Sequence, residues 1–402
     1  MKDYNKIIYS YNKLKFYCEA QNFAGWDPYD GLNSKVFQAT PLKHWDLARL
    51  AWIQGFKRSP INFRKLLFVP KEHNAKGVAL FLTGYCNIYT AQQVSGKEEF
   101  GTQQEILEKI NYLAKLLISL KSKGYSGACW GYNFDWQSIA FYLPRLTPTV
   151  VATSFAVEAL FNSYEITKNV LYKDVAISSA EFITKDLNRI VKDNAYMFSY
   201  SPLDYRAVYN ASLLGSKTLS LISYYSSDNY ISEIAIKSAI AVCNTQNTDG
   251  SFPHSDQIGN RWRDSFHTGF KLESIAFVEK YCKSKLFENN IKKGFLYWIE
   301  NFFNEETGMA YYYDTKGSLV DLHCTAQAFS TLYKLNEMNN KTELSRKILN
   351  WAIDNMQASD GSFYFQKNVN NTNKIKYMRW PNAWMFYGMS YYFLNEAEYE
   401  TS

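Results

Sequence analysis

The chain has 402 residues, a net charge of +6 and 20% charged side chains. Its basic residues are scattered rather than gathered into a stripe, which argues against nucleic acid as a partner. No window approaches the ~18 uncharged apolar residues of a membrane span, and the N-terminus interrupts every short apolar run with charge where a signal peptide would keep an apolar core.

Six cysteines (Cys18, Cys86, Cys129, Cys243, Cys282 and Cys324) show no CxxC spacing and fall within helical patterns. Free thiols in a reducing cytoplasm are therefore expected. Only 9 Pro and 19 Gly are present, mostly in turns, as a largely helical chain requires. The length exceeds what one core ordinarily organises, yet no Gly/Ser/Pro tract marks a linker. One repeat-built domain over residues 1–402 is expected, with residues 1–24 forming an N-terminal helix packed on the rest.

In chain order, the pattern predicts a first helix over Tyr4–Ala20, then the turn-rich GWDPYDGLNSKVF. Thr40-Pro41 reads as an N-cap with Pro at the first helical position, opening a helix through Phe56. A short helix near Asn62–Phe68 and another over Val78–Ala91 follow. Thr102–Lys123 places Ile106, Ile110, Leu113, Leu117 and Leu120 on one face. Beyond it, Thr149–Tyr164 is apolar nearly all round. Further pairs are Tyr172–Ile190 with Tyr209–Tyr224, Tyr230–Gln246 with Phe266–Tyr281, Phe287–Phe303 with Leu322–Leu335, and Thr342–Gln357 with Asn382–Phe393.

The members of each pair differ. Lys341–Gln357 carries five charges, whereas Asp321–Tyr333 carries one. A charged helix keeps one face in water; a helix apolar all round is buried on every side. Alternation of the two predicts concentric rings, an all-α toroid of six to seven hairpins with apolar inner and amphipathic outer helices. The hairpins share a plan that is clearest at Gln246–Glu273 and Gln357–Trp384: a QxxDGSF turn, a polar and aromatic loop, then an apolar helix. Looser copies lie at Gly124–Phe155, Asn194–Leu214 and Glu306–Phe329.

These QxxDGSF repeats resemble those of the α/α-toroid superfamily of terpenoid cyclases, prenyltransferase β subunits and six-hairpin glycosidases. More narrowly, CWGYNFDWQ with TPTVVATSFAVEAL, DGSF with DSFHTGF, and GWDPYDGLNSKVF are similar to bacterial proteins of capsule and exopolysaccharide biosynthesis clusters. Some of those proteins bear a delta-aminolevulinic acid dehydratase label. The resemblance spans about residues 25–392 and implies the toroid fold and a role in surface-polysaccharide assembly.

In such a toroid the loops entering the inner helices gather at one mouth, where unpaired helix N–H groups favour anions. Asp264 and His267 are the sharpest pair, since a spacing of three puts both on one helical face and lets the carboxylate orient the imidazole. A plain helix cap explains the same spacing. Asp135, among aromatic residues, is a candidate general acid with a raised pKa, or else a turn residue bonded to its own backbone. Tyr132 and Tyr209 are candidate helpers. Trp130, Trp136, Trp262, Trp380 and Trp384 are candidates to stack on sugar rings, and Arg206, Arg261, Arg263 and Arg379 to clamp an anion. Asn133, Asn210, His254, Asp321, His323 and Asn382 complete the set of candidate ligand-binding residues.

Asp321, His323 and Cys324 raise the question of zinc, but alternate residues of a helix point apart and no metal or other cofactor is expected. Nucleotide loops, the GxSxG elbow, and the acidic motifs of terpenoid cyclases and prenyl-diphosphate enzymes are absent. The expectation is acid–base chemistry, namely hydrolysis, elimination or epimerisation, on an anionic or lipid-linked saccharide. The alternatives are a non-catalytic saccharide-binding or scaffold protein and a prenyl-diphosphate-handling toroid. A polar, aromatic cavity would favour sugar, and a wholly apolar one the prenyl chain.

Overall fold

A computed structural model describes residues 2–138, 141–192, 194–255 and 262–401. Among them run α1 (Lys2–Ala20), α2 (Lys35–Gln38), α3 (Asp46–Arg58), α4 (Ala75–Ser95) and α5 (Gln103–Ser119), then the ribbon β1 (Trp136–Gln137) and β2 (Tyr142–Leu143). Next come α6 (Val150–Thr167), α7 (Val170–Glu181), the hairpin β3 (Arg189–Lys192) and β4 (Ala195–Phe198), α8 (Tyr209–Ser226), α9 (Asn229–Cys243), α10 (Ser265–Tyr281) and α11 (Glu288–Phe302). The chain ends with β5 (Val320–Asp321), α12 (Leu322–Lys334), α13 (Thr342–Met356), β6 (Gln366–Lys367), β7 (Thr372–Asn373) and α14 (Ala383–Thr401).

The fold is an α/α toroid of six hairpins. Helices α4, α6, α8, α10, α12 and α14 pack side by side, and α14 returns onto α4 to close the inner ring. Their outer partners are α1, α5, α7, α9, α11 and α13. The distinction follows from composition. On α5 a capping box (Thr102 with Glu105) starts the helix, and Ile106, Ile110, Leu113 and Leu117 form the buried face. On α6 every residue from Val150 to Phe161 is buried.

The repeated QxxDGSF turn is a staple between hairpins. Asp249 and Asp360 each accept the N–H and hydroxyl of the serine two residues on. Gln246 donates to its own turn at Gly250 and to Asn290 of α11; Gln357 donates to Gly361 and to Ser10 of α1. Gly250 and Gly361 both hold φ near +90°, and a Cβ there would meet the backbone oxygens of Lys293 on α11 and Lys13 on α1 at 2.3 and 2.4 Å. Only glycine allows that approach. The last turn thus clasps the first helix, which is how the ring closes.

Several boundaries differ from the sequence reading. The helix expected from Pro41 begins at Asp46, after a single 3-10 turn. No helix forms over 62–68: the Arg64 side chain is drawn inward to Asp30 and to the carbonyls of Asp27 and Pro28, and the turn ends with Phe68 left-handed. Helix α7 stops at Glu181, so Ile190 lies in β3. Helix α4 starts at Ala75 rather than Val78.

Inside the ring, four charged side chains form one buried cluster. Glu158 binds Lys217 at 2.7 Å and Lys334 at 2.6 Å, while Glu273 binds Lys334 at 3.1 Å. Thr331 and Gln327 also donate to Glu273. Burial works against the charged form of Glu158, but Lys217 and Lys334 outweigh it and hold its pKa down to about 2. The cluster joins α6, α8, α10 and α12 across the interior of the ring.

Candidate active site

The inner helices bring their N-terminal ends to a single cavity of about 510 Å³. Each contributes from its first turn or the residues just before it: Lys76 (α4), Val151 (α6), Asn210 (α8), His267 (α10), His323 (α12) and Arg379 with Trp380 (entering α14). The mouth loops add Tyr132, Trp136, Arg206, His254 and Trp262. Isolated bridges stitch these loops to one another, Val208 to Ser255 and Asp264 to Tyr313.

Asp264 and His267 form a dyad. Asp264 is 1% exposed and is the N-cap of α10: one oxygen accepts the His267 N–H at 2.7 Å, the other lies 2.6 Å from His267 Nδ1. The capping and orienting roles proposed from the sequence therefore coexist, one on each carboxylate oxygen. A carboxylate at Nδ1 selects the tautomer with its proton there and leaves Nε2 an acceptor. Nε2 has no hydrogen-bond partner among the described residues, and the ring lines the cavity.

Two further imidazoles adjoin it. His254 stacks on Trp262 at 4.1 Å with its ring 5.1 Å from that of His267. Burial, with His267 and Lys271 nearby, pushes its pKa down to about 2. His323 is sandwiched between Phe266 at 4.0 Å and Trp384 at 3.8 Å. Burial, then the charges of Lys76 and Arg379, drive its pKa well below that of free histidine, so it is neutral. Both nitrogens of His323, Nδ1 of His254 and Oδ1 of Asn210 are buried without a hydrogen-bond partner. Native proteins leave few such atoms, and here four converge on one cavity.

The charge around the cavity is one-sided. Lys57, Lys76, Arg206 and Arg379 line it, and no Asp or Glu does among the described residues. Arg379 is braced by both oxygens of Asp27. Asp321 is fully buried behind the wall, accepting the N–H of His323 and the indole N–H of Trp380 from one oxygen and Gln366 from the other. Burial raises its pKa to about 6.

Several candidates lie outside the cavity lining. Trp130 is fully buried and donates to the Leu117 carbonyl. Asp135 is outside the cavity lining, where it accepts the Arg145 N–H at 2.7 Å and braces the β1–β2 ribbon; the expected acid faces a backbone amide. Tyr209 is packed into a secondary core. Asn133 bonds to Asn74 and Glu72, Asn382 to Phe363 and Tyr377, and Arg263 to Asp314. Trp384 backs His323 from outside the lining. Arg261 lies outside the described residues. Sequence reasoning missed Lys76, Lys57 and Tyr200, whose hydroxyl donates to Tyr132 at 3.3 Å.

No protein-family model and no curated protein sequence matches the chain. Solved structures match it in fold. Cellobiose 2-epimerase from Bacillus thermoamylovorans B4167 superposes with a TM-score of 0.58 at 14% identity, over 79% of this chain and 87% of that one. A family 76 α-mannanase of Bacteroides thetaiotaomicron gives 0.60 at 13% identity, over 81% and 86%. An unsaturated glucuronyl hydrolase from Streptococcus agalactiae gives 0.56 at 11% identity, over 99% and 91%. The chain shares the six-hairpin toroid of these glycosidase-like proteins.

Proposed function

We propose that the protein is a carbohydrate-active enzyme that moves protons on a saccharide, an epimerase or isomerase rather than a hydrolase. The observation that carries this is the Asp264–His267 dyad opening its free Nε2 onto a cavity without a lining carboxylate among the described residues. Glycoside hydrolysis ordinarily uses two carboxyl groups flanking the scissile bond. Abstraction of a proton next to a sugar carbonyl needs instead one oriented base, a second proton-carrying group and donors for the developing oxyanion. His267 is the base, with Asp264 fixing its tautomer and stabilising the cation formed when Nε2 takes the proton. Neutral His323 is the second group, and the guanidinium of Arg379 faces the same space.

The aromatic walls suit the C–H faces of a pyranose, and the volume falls in the range of small-molecule sites. Four cations and three imidazoles disfavour an isoprenyl chain. An anionic or lipid-linked sugar of surface-polysaccharide assembly, in the cytoplasm, remains part of the proposal and rests on the sequence resemblance. The test is turnover of a panel of aldoses and disaccharides by the wild type and His267→Gln. Epimer or ketose formation that the variant loses, while still binding sugar, is expected. Release of a free sugar from glycosides without such products would overturn the reading in favour of hydrolysis, and binding without turnover of any kind would favour a saccharide-binding protein.

A further inference from the structure

We propose that the cavity floor is a carboxylate subsite in which Lys76 seats the acidic group of a uronic-acid substrate; this rests on the saccharide reading above. Lys76 is the second residue of α4 and 3% exposed, yet it lines the cavity. Its Nζ makes no hydrogen bond or ion pair among the described residues. It lies over the rings of Phe155 (α6), Trp384 (entering the inner ring on α14) and Phe270 (α10) at 4.4, 5.0 and 5.1 Å from their centroids.

Comparison with the other buried cations makes the point. Lys217 and Lys334 bind Glu158 and Glu273, Lys271 donates to the carbonyls of Phe252 and Pro253, Arg64 binds Asp30 and Arg379 binds Asp27. Each has an oxygen partner within the protein. Lys76 is left without one in the place where the cavity reaches it. If packing were its whole purpose, an uncharged side chain of similar length would fill the space without the cost of desolvating an amine. A position in the first turn of a long helix adds positive potential for an incoming anion.

The groups facing Lys76 set its protonation. Burial, then repulsion by Arg379, lowers its pKa well below that of free lysine, against a weaker pull from Asp27; neutral His323 adds no charge. An arriving carboxylate pulls the other way and favours the charged amine, so binding takes up a proton wherever the pH lies between the free and the bound value. A carboxylate is favoured over a diphosphate because the floor offers one such amine, whereas a diphosphate needs several donors.

Isothermal titration calorimetry on the full chain tests this, with glucuronate and galacturonate against glucose and galactose, and glucose 6-phosphate as the phosphate arm. Each titration is run at several pH values from neutral to alkaline in two buffers of different ionisation enthalpy. Uronates are expected to bind roughly tenfold to a hundredfold more tightly than their neutral counterparts, with net proton uptake. In Lys76→Met that advantage and the uptake disappear, so acidic and neutral sugars bind alike. Retention of the advantage in Lys76→Met overturns the inference, as does a preference for the phosphate. If Lys76→Met does not fold, wild-type uronate binding without proton uptake overturns it equally. Neutral sugars binding as well as uronates removes this inference alone, whereas no sugar binding at all removes the saccharide reading and this with it.

Discussion

Replacing Asp264 by Asn separates the two roles of that side chain. Oδ1 of Asp264 caps α10 at 2.7 Å from the His267 N–H, and Oδ2 lies 2.6 Å from Nδ1. Asparagine caps helices about as well as aspartate, so Oδ1 is kept. In place of Oδ2, however, stands an amide that can only donate. It pairs with Nδ1 only if that nitrogen gives up its proton, which moves the proton to Nε2 and turns the base into a donor. In a serine-protease triad the same substitution costs about 10⁴-fold in kcat, equivalent to about 5.4 kcal/mol of transition-state stabilisation. A loss of about 10³- to 10⁴-fold is expected here. Stability should fall by only about 1–2 kcal/mol, because buried Lys271, whose pKa burial lowers to about 8, loses the charge of Asp264 that offsets it. The assay is epimer or ketose formation by NMR beside a urea melt. An Asp264→Asn variant that folds and retains turnover within tenfold of wild type would refute the dyad.

Gly361→Ala should cost about 2–4 kcal/mol, from the positive φ and the clash with Lys13, and Gly124→Ala markedly less, since Gly124 has φ +85 but open space around it; chemical denaturation compares them. Lys217→Met leaves an excess of buried carboxylate beside Lys334 and should destabilise by about 3–5 kcal/mol, partly recovered by adding Glu158→Gln. Because the folded pKa of Glu158 is depressed to about 2, its stabilisation is fully present above the unfolded value near 4.5 and is lost as pH falls from there toward 2. A pH series of melts on wild type and Glu158→Gln reads that window. Trp262→Ala, which removes the partner stacked on His254 at 4.1 Å, should raise KM for a saccharide about five- to tenfold with little change in stability.

The ring itself was legible because inner and outer helices differ in composition, and the Asp264–His267 pair because a spacing of three defines a geometry. Trp130 and Tyr209 were not, since an aromatic residue beside a mouth loop reads the same whether it faces the cavity or the core. Asp135 misled for a related reason: the sequence does not show that the Arg145 backbone doubles back to claim its carboxylate. The most informative signal was a charge within the apolar stretch of an inner helix. Glu158, Lys217, Glu273 and Lys76 all interrupt inner helices, and each marks either the buried cluster or the cavity floor. Placing the start of α4 at Val78 left Lys76 in a loop, where a lysine says nothing; at Ala75 it becomes a buried charge in need of a partner. The DGSF turns, by contrast, draw attention as motifs and prove to be staples between hairpins.

The most direct measurement is solvent deuterium incorporation, following aldoses and uronates by NMR in D₂O with the wild-type protein and His267→Gln. Exchange at the carbon beside the sugar carbonyl, present in the wild type and absent in the variant, is the predicted result. Glycosidic cleavage in the wild type with no carbon-bound deuterium would contradict it.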